Sequence, residues 1–217
     1  MFAKDILFWN VDTQVDFMHK DGKLYAPGAE EIQPVLQKIT NLACSKNIQV
    51  VNTADYHFSD SKELSDNPDF VNTFPPHCMA NTPGAEYVTE TQPVGNYSEI
   101  LWDKEYSSQE VKKSVSQRNI VIRKDAFDVF EGNSNTDAVL QEITPQKVFV
   151  YGVTTNVCVD RAAVGLAKRK LQVYVIEDAI KELPNIPSPF PKWDELGIKR
   201  ISHVDLEKIV NEVLVNE

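Results

Sequence analysis

The sequence predicts an α/β fold with a parallel sheet, and two observations carry the prediction. Five short apolar runs, at residues 6–11, 48–53, 120–123, 148–153 and 173–176, are near-continuous, as strands covered on both faces must be. They alternate with segments whose apolar residues recur at helical spacing. A third observation bounds the size. At 217 residues, 42% hydrophobic and 25% charged, the chain can bury roughly 70% of its unfolded surface. One domain spanning 1–217 is therefore expected, with a long polar loop at 58–81.

The first run ends at Asp-Thr-Gln-Val-Asp-Phe, beginning with Asp12. After Pro27, residues Ile32, Val35, Leu36, Ile39 and Leu42 make one apolar helix face. The second run leads into Asp55-Tyr-His57, and the third into Lys124. Val139, Leu140 and Ile143 mark a short helix, and the fourth run opens onto Gly152-Val-Thr-Thr-Asn-Val-Cys158. A helix then follows through Val159, Ala162, Ala163, Leu166 and Ala167 to Lys168-Arg169-Lys170. After the fifth run, residues 181–196 carry Pro184, Pro187, Pro189 and Pro191 and predict an irregular stretch. The C-terminal stripe Val204, Leu206, Ile209, Val210, Val213 and Leu214 predicts a packing helix, with Ser202 and Asp205 spaced as a capping box.

Composition narrows the function. Twenty-two basic against 32 acidic residues give a net charge of −10, which repels nucleic acid and anionic membranes. Neither is expected as a partner. Cys44, Cys78 and Cys158 are odd in number and unevenly spaced, which suits reduced thiols in a cytoplasmic protein. Asp5 and Asn10 interrupt the apolar core a signal peptide needs, and no run approaches ~18 apolar residues. The eight glycines never fall two apart, so Gly-x-Gly-x-x-Gly is absent, and Gly22-Lys23 lacks the upstream glycine of a P-loop.

In an open parallel sheet, ligands bind beyond the carboxyl ends of the strands. Those positions hold Asp12, Asp55 with His57, Lys124 and Cys158. Cys158 falls in the expected opening turn of a helix capped by Thr154 or Thr155, where the helix dipole favours a thiolate and a nearby ammonium favours it further. Such a thiol is a nucleophile, although a free cysteine can equally be a small buried hydrophobe. A carboxylate at Asp12 could take the thiol proton and return it to a leaving amine, with Lys124 orienting it; taken singly, Asp12 reads as a turn residue and Lys124 as a rim charge. Asp55 and His57, two apart on an extended segment, point to one side, and the proline-fixed turn Phe74-Pro-Pro-His77 could return a second imidazole. Carboxylate and imidazole ligands suit zinc, iron or manganese. A fourth ligand could come from Glu63, Asp60 or Asp66, with Glu63 preferred, or the set could be surface loop residues. Cys44 and Cys78 read as structural, Cys78 being also a candidate softer ligand.

Five segments in order resemble the signatures of the isochorismatase-like cysteine hydrolases, and most closely their nicotinamidase/pyrazinamidase branch. They are Asp-Thr-Gln-Val-Asp-Phe, Thr-Ala-Asp-Tyr-His, Phe-Pro-Pro-His-Cys-Met-Ala-Asn-Thr-Pro-Gly-Ala-Glu, Arg-Lys-Asp-Ala-Phe-Asp-Val-Phe and Gly-Val-Thr-Thr-Asn-Val-Cys-Val. The resemblance runs from about residue 6 to 180. It implies a three-layer αβα sandwich with a mainly parallel sheet, Asp12, Lys124 and Cys158 as catalytic triad, and a cis peptide between Val153 and Thr154 that turns the amides of Thr154 and Cys158 toward an oxyanion. It further implies Phe17, Phe74 and Val153 as substrate-pocket residues and Asp55, His57 and His77, with the loop acid completing the set, as ligands of one divalent metal, zinc foremost. The implied reaction is hydrolysis of nicotinamide to nicotinate and ammonia in pyridine nucleotide salvage, and a homo-oligomer is compatible with it. The chain departs from the family's pattern in having Phe74 where tryptophan is frequent and Asp125 where a small residue often follows the lysine. Two alternatives stand beside this reading: a metal-independent hydrolase of another small amide or ureido compound, and a catalytically silent binding protein on the same scaffold.

Overall fold

The computed structural model describes residues 2–216. Seven strands form one sheet, with every pairing parallel: β1 (Ile6–Val11), β2 (Gln49–Asp55), β3 (Tyr97–Ile100), β4 (Asn119–Lys124), β5 (Lys147–Val153), β6 (Gln172–Lys181) and β7 (Lys199–Ile201). Their spatial order is β3-β4-β2-β1-β5-β6-β7. The helices are α1 (Val15–Met18), α2 (Ala29–Ser45), α3 (Ser108–Ser114), α4 (Val129–Gly132), α5 (Thr136–Ile143), α6 (Asp160–Lys168), α7 (Phe190–Glu195) and α8 (His203–Asn216). Helices α2 and α8 pack together over β6, while α3, α4, α5 and α6 form a second contiguous helical layer. The sheet is thus buried from both sides.

The apolar runs became the five inner strands because each side chain along them meets a helix layer whichever way it points. All six residues of β1, including Leu7, Phe8 and Trp9, are buried. The two strands without such a run, β3 and β7, lie at the sheet edges and alternate or expose their residues. Strand β6 outlasts its apolar run because it bulges: Val150 pairs with Val175, yet Gly152 pairs with Ile180. The bulge brings out Asp178, whose carboxylate accepts from the backbone N and Nδ1 of His203 at the start of α8. The expected cap of that helix is also present, with Asp205 N donating to Ser202 Oγ at 3.2 Å.

Two expectations need correction. The stretch 181–196 is not irregular throughout, since β6 runs to Lys181 and α7 occupies Phe190–Glu195, its Trp193 buried with Nε1 donating to Asp160 Oδ1. The helix carrying Cys158 does not open with a threonine side-chain cap. It opens as one wide π-type turn over Thr155–Val159, Thr154 makes no side-chain capping bond, and the regular helix starts at Asp160. The loop at 58–81 does lack helices and strands, and is pinned by single bridges pairing His57 with Met79 and Leu64 with Phe74.

Beside β1, the backbone of Gly152 holds φ +119°, and a Cβ there would lie 2.0 Å from the Val11 carbonyl oxygen. Only glycine lets β5 approach the end of β1 this closely. Gly152→Ala should therefore destabilise the protein by about 3 kcal/mol or more, combining backbone strain with overpacking. The midpoint of denaturant unfolding measures it, and an unchanged midpoint would refute the close approach.

Candidate functional site

Strands β1, β2, β4 and β5 end together at one rim, on either side of the central strand where the sheet's winding changes direction. Asp12, directly after β1, takes a left-handed backbone (φ +46°), a conformation aspartate tolerates better than most residues. Its amide donates to the Thr53 carbonyl and its Oδ1 accepts from Thr53 Oγ1 at 2.6 Å. The parallel register of β2 and β4 sets Lys124 beside Asp55. Lys124 Nζ lies 2.9 Å from Asp12 Oδ2, hydrogen-bonds Asp55 Oδ1, and stands 4.0 Å from Cys158 Sγ. Asp12, Asp55 and Lys124 are buried, and Cys158 is 5% exposed.

Burial opposes the Lys124 ammonium, but the carboxylates of Asp12 and Asp55 outweigh it and hold the group firmly protonated. Asp55 also feels the burial, yet Lys124 and the two imidazoles keep it well below the usual carboxylate range. For Asp12 burial wins over the attraction of Lys124, and its pKa is raised. The Cys158 thiol is pushed well up, by burial first, with the lowering pull of Lys124 insufficient to reverse it. Burial thus opposes the pull toward a thiolate expected from the helix start and the nearby ammonium.

The second oxygen of Asp55 faces a different set. Asp55 Oδ2, His57 Nε2, Glu63 Oε1 and His77 Nε2 all come within 4.8 Å of one another in a buried cluster. His57 Nε2 is 3.9 Å from Asp55 Oδ2 and 4.0 Å from Glu63 Oε1, while His77 Nε2 is 3.5 and 4.0 Å from the same two atoms. Donors about 2.1 Å from a shared zinc-sized ion stand roughly 3.4 Å apart in a tetrahedron, so a small contraction closes the set. Asp55 Oδ2 and His57 Nε2 are buried without a hydrogen-bond partner, which is costly unless something else satisfies them. The residues present therefore fit a divalent cation. Burial, with the charge of Asp55 adding to it, pushes Glu63 up to about 7, and burial pulls His57 down. Burial also works against His77, but the facing Asp55 raises it overall. Of the candidate fourth ligands, Asp60 and Asp66 are exposed and outside the cluster, and so is Cys78, which is buried with Sγ toward the Gly84 carbonyl. Cys44 is exposed on α2.

Other expected pocket residues gather around this double site. Phe17 and Phe74 are both buried, and both set their rings edge-on to that of His77, with centroids 5.2 and 6.3 Å away. The Val153–Thr154 peptide is cis, and the following turn wraps onto the Thr154 carbonyl, which accepts from the amides of Val157 and Val159. Thr154 Oγ1 is buried and unpartnered. A groove of ≈ 600 Å³ lined by Tyr25, Phe70, Val71, Pro75, Leu183 and Ile186 flanks these segments. It adjoins them through Asn156, whose Nδ2 donates to the carbonyls of Leu183 and Ile186.

Three supporting residues gave no signal of this role in the sequence. Gln14 clamps Asp55, its Oε1 accepting from the Asp55 amide and its Nε2 donating to the Asp55 and Ala85 carbonyls. Asp16 accepts from the Cys78 amide and so ties α1 to the turn bearing His77. Asp125, visible only as a departure from the family pattern, accepts from His57 Nδ1 at 2.8 Å.

Comparison with known proteins bears on this site. A family model described as the isochorismatase domain matches residues 7–204. A nicotinamidase/pyrazinamidase of Mycobacterium tuberculosis is 24% identical over 172 residues, covering 77% of this chain and 82% of that protein. The crystal structure of a Pyrococcus horikoshii pyrazinamidase in complex with zinc superposes with a TM-score of 0.69 at 24% identity, covering 91% of this chain and 99% of the other. An N-carbamoylsarcosine amidase from Thermoplasma acidophilum gives the same TM-score at 20% identity, covering 91% and 96%.

Proposed function

The chain belongs to the isochorismatase family, and from that premise we propose that it is a cysteine amidase that hydrolyses nicotinamide, or a closely similar heteroaromatic amide, to the acid and ammonia. The observation that carries the reading is the division of Asp55 between two tasks. One oxygen pairs with Lys124 beside Cys158; the other is orphaned toward His57, Glu63 and His77. Thiol chemistry and a cation site thus share one buried carboxylate, and a small substrate carrying both a carboxamide and a ring nitrogen donor would engage both at once. The zinc complex of the Pyrococcus relative supports the cation, and the Mycobacterium relative supports the substrate class.

In the proposed reaction Asp12 accepts the Cys158 proton as sulfur attacks the amide carbon. Lys124 stays charged beside both groups and holds the negative charge as it moves. The carbonyl oxygen becomes an oxyanion, met by the backbone amides of Thr154 and Cys158. The C–N bond then breaks, and Asp12 returns its proton to the departing ammonia. Water cleaves the resulting thioester, releasing the carboxylic acid and restoring the thiol. A divalent ion held by Asp55, His57, Glu63 and His77 would supply a Lewis-acid anchor for the ring nitrogen. Phe17 and Phe74, packed around His77, would bound the ring, and the burial of the whole set suits a small substrate.

Cys158→Ala should fold normally and lose ammonia release by roughly 10³-fold or more; ammonia release at the natural rate would exclude the thiol as nucleophile. Asp12→Asn should slow acylation severely while leaving the thiol in place, and rapid-quench detection of an undiminished acyl-enzyme burst would remove Asp12 as base. The reading as a whole is tested by ammonia release from nicotinamide, pyrazinamide and aliphatic amides, with metal content measured on the same preparation. Heteroaromatic amides should be preferred and about one divalent ion retained per chain. A metal-free preparation that remains fully active in chelator, or turnover of ureido compounds alone, would favour the metal-independent alternative.

A further inference from the structure

We infer that Asp125 is a positioning residue for the cation site: it fixes the imidazole of His57 in the tautomer and orientation that aim Nε2 at the ion. The inference rests on the cation-site reading above. His57 Nδ1 lies 2.8 Å from Asp125 Oδ1 and 3.1 Å from Ser61 Oγ. A hydroxyl can either donate or accept, so Ser61 alone leaves the imidazole free to carry its proton on either nitrogen. A carboxylate only accepts, so Asp125 requires Nδ1–H and leaves the lone pair on the orphaned Nε2. His77 is set in the same way by a different acceptor-only group, with Nδ1 2.7 Å from the Pro75 carbonyl oxygen.

Placement explains why a charged group serves here. Asp125 separates fully buried His57 from a groove of ≈ 560 Å³ that Trp102, Glu63 and Phe127 also line, and its side chain is 29% exposed to that side. A small residue would leave Nδ1 open to water from the groove. Two residues further on, the Phe127 amide donates to Glu63 Oε2, leaving Oε1 for the cluster. The segment that follows Lys124 thus orients two of the four candidate ligands as well as bearing the central ammonium of the thiol site.

Zinc affinity of the metal-free protein, measured by competition with a chromogenic chelator, tests the assignment on the natural chain, Asp125→Ala, Asp125→Asn and Ser61→Ala. Loss of the carboxylate in Asp125→Ala should weaken zinc by roughly 10–100-fold. Asp125→Asn, which keeps an acceptor without the charge, should fall between, and Ser61→Ala should weaken zinc least. The metal-free variants should melt with the natural chain, and cobalt-loaded Asp125→Ala should show a shifted d–d spectrum, which a purely structural role would not produce. If Asp125→Ala fails to fold, Asp125→Asn carries the same comparison. Zinc affinity in the variants equal to that of the natural chain would overturn the role of Asp125 alone. A natural chain that binds no zinc would overturn the cation site and, with it, this inference.

Discussion

A buried ammonium held by two carboxylates organises this molecule's rim. Lys124 sits at the end of an inner strand with no access to water, and taking such a charge from solvent costs several kcal/mol unless partners replace its hydration. Asp55 on the adjacent strand β2 and Asp12 just after β1, one strand further along, supply them. Breaking a pair of this kind typically costs about 3–5 kcal/mol, because the remaining charge is stranded. The arrangement therefore tolerates little displacement of any of the three strand ends. Its consequence for chemistry is geometric: a thiol delivered by the next strand meets a fixed acid and a fixed cation.

The precision comes from sheet register more than from the side chains themselves. Asp55 and Lys124 are paired residues in adjacent parallel strands, and Val11 pairs with Gly152, so the ends of β1 and β5 are level. The close approach at Gly152 and the left-handed turn at Asp12 then redirect both chains toward the same spot. Around this rigid floor His57, just after β2, is joined by Glu63 and His77 from the 58–81 loop, which has no regular structure of its own. The loop is held instead by bridges and by bonds to Asp16 and the segment after β4.

Much of this was legible in the sequence because burial on both sides of a parallel sheet imposes a continuous apolar signal. The strands bearing the site were visible for that reason, and the residues following them pointed to the chemistry. The edge strands β3 and β7 were not legible, since Tyr-Ser-Glu-Ile and Lys-Arg-Ile satisfy only one covered side or none. Spacing alone could not separate Glu63 from Asp60 and Asp66; burial does, and burial of a loop acid has no sequence pattern. The π-type turn at Cys158 was hidden because its residues suit an ordinary helix start equally well. Gln14 and Asp125 act through contacts across 41 and 68 residues of chain, beyond the reach of any local pattern.

A thiol held well above its ordinary pKa is at odds with nucleophilic chemistry only if its proton must go to solvent. With Asp12 and Asp55 ionised and Lys124 charged, the three carry a net charge of −1, and releasing the Cys158 proton to water would make the buried cluster −2. Transfer to Asp12 leaves the total unchanged and only moves the negative charge from oxygen to sulfur, with Lys124 near both. The same burial that raises Cys158 also raises Asp12, so the two affinities for the proton shift in the same direction. The low-dielectric setting thus suppresses ionisation outward while leaving internal transfer open. A small electrophile that fills the space and excludes water would draw the thiolate into bond formation as it appears, which is the condition under which a protonated, buried cysteine can serve as a selective nucleophile.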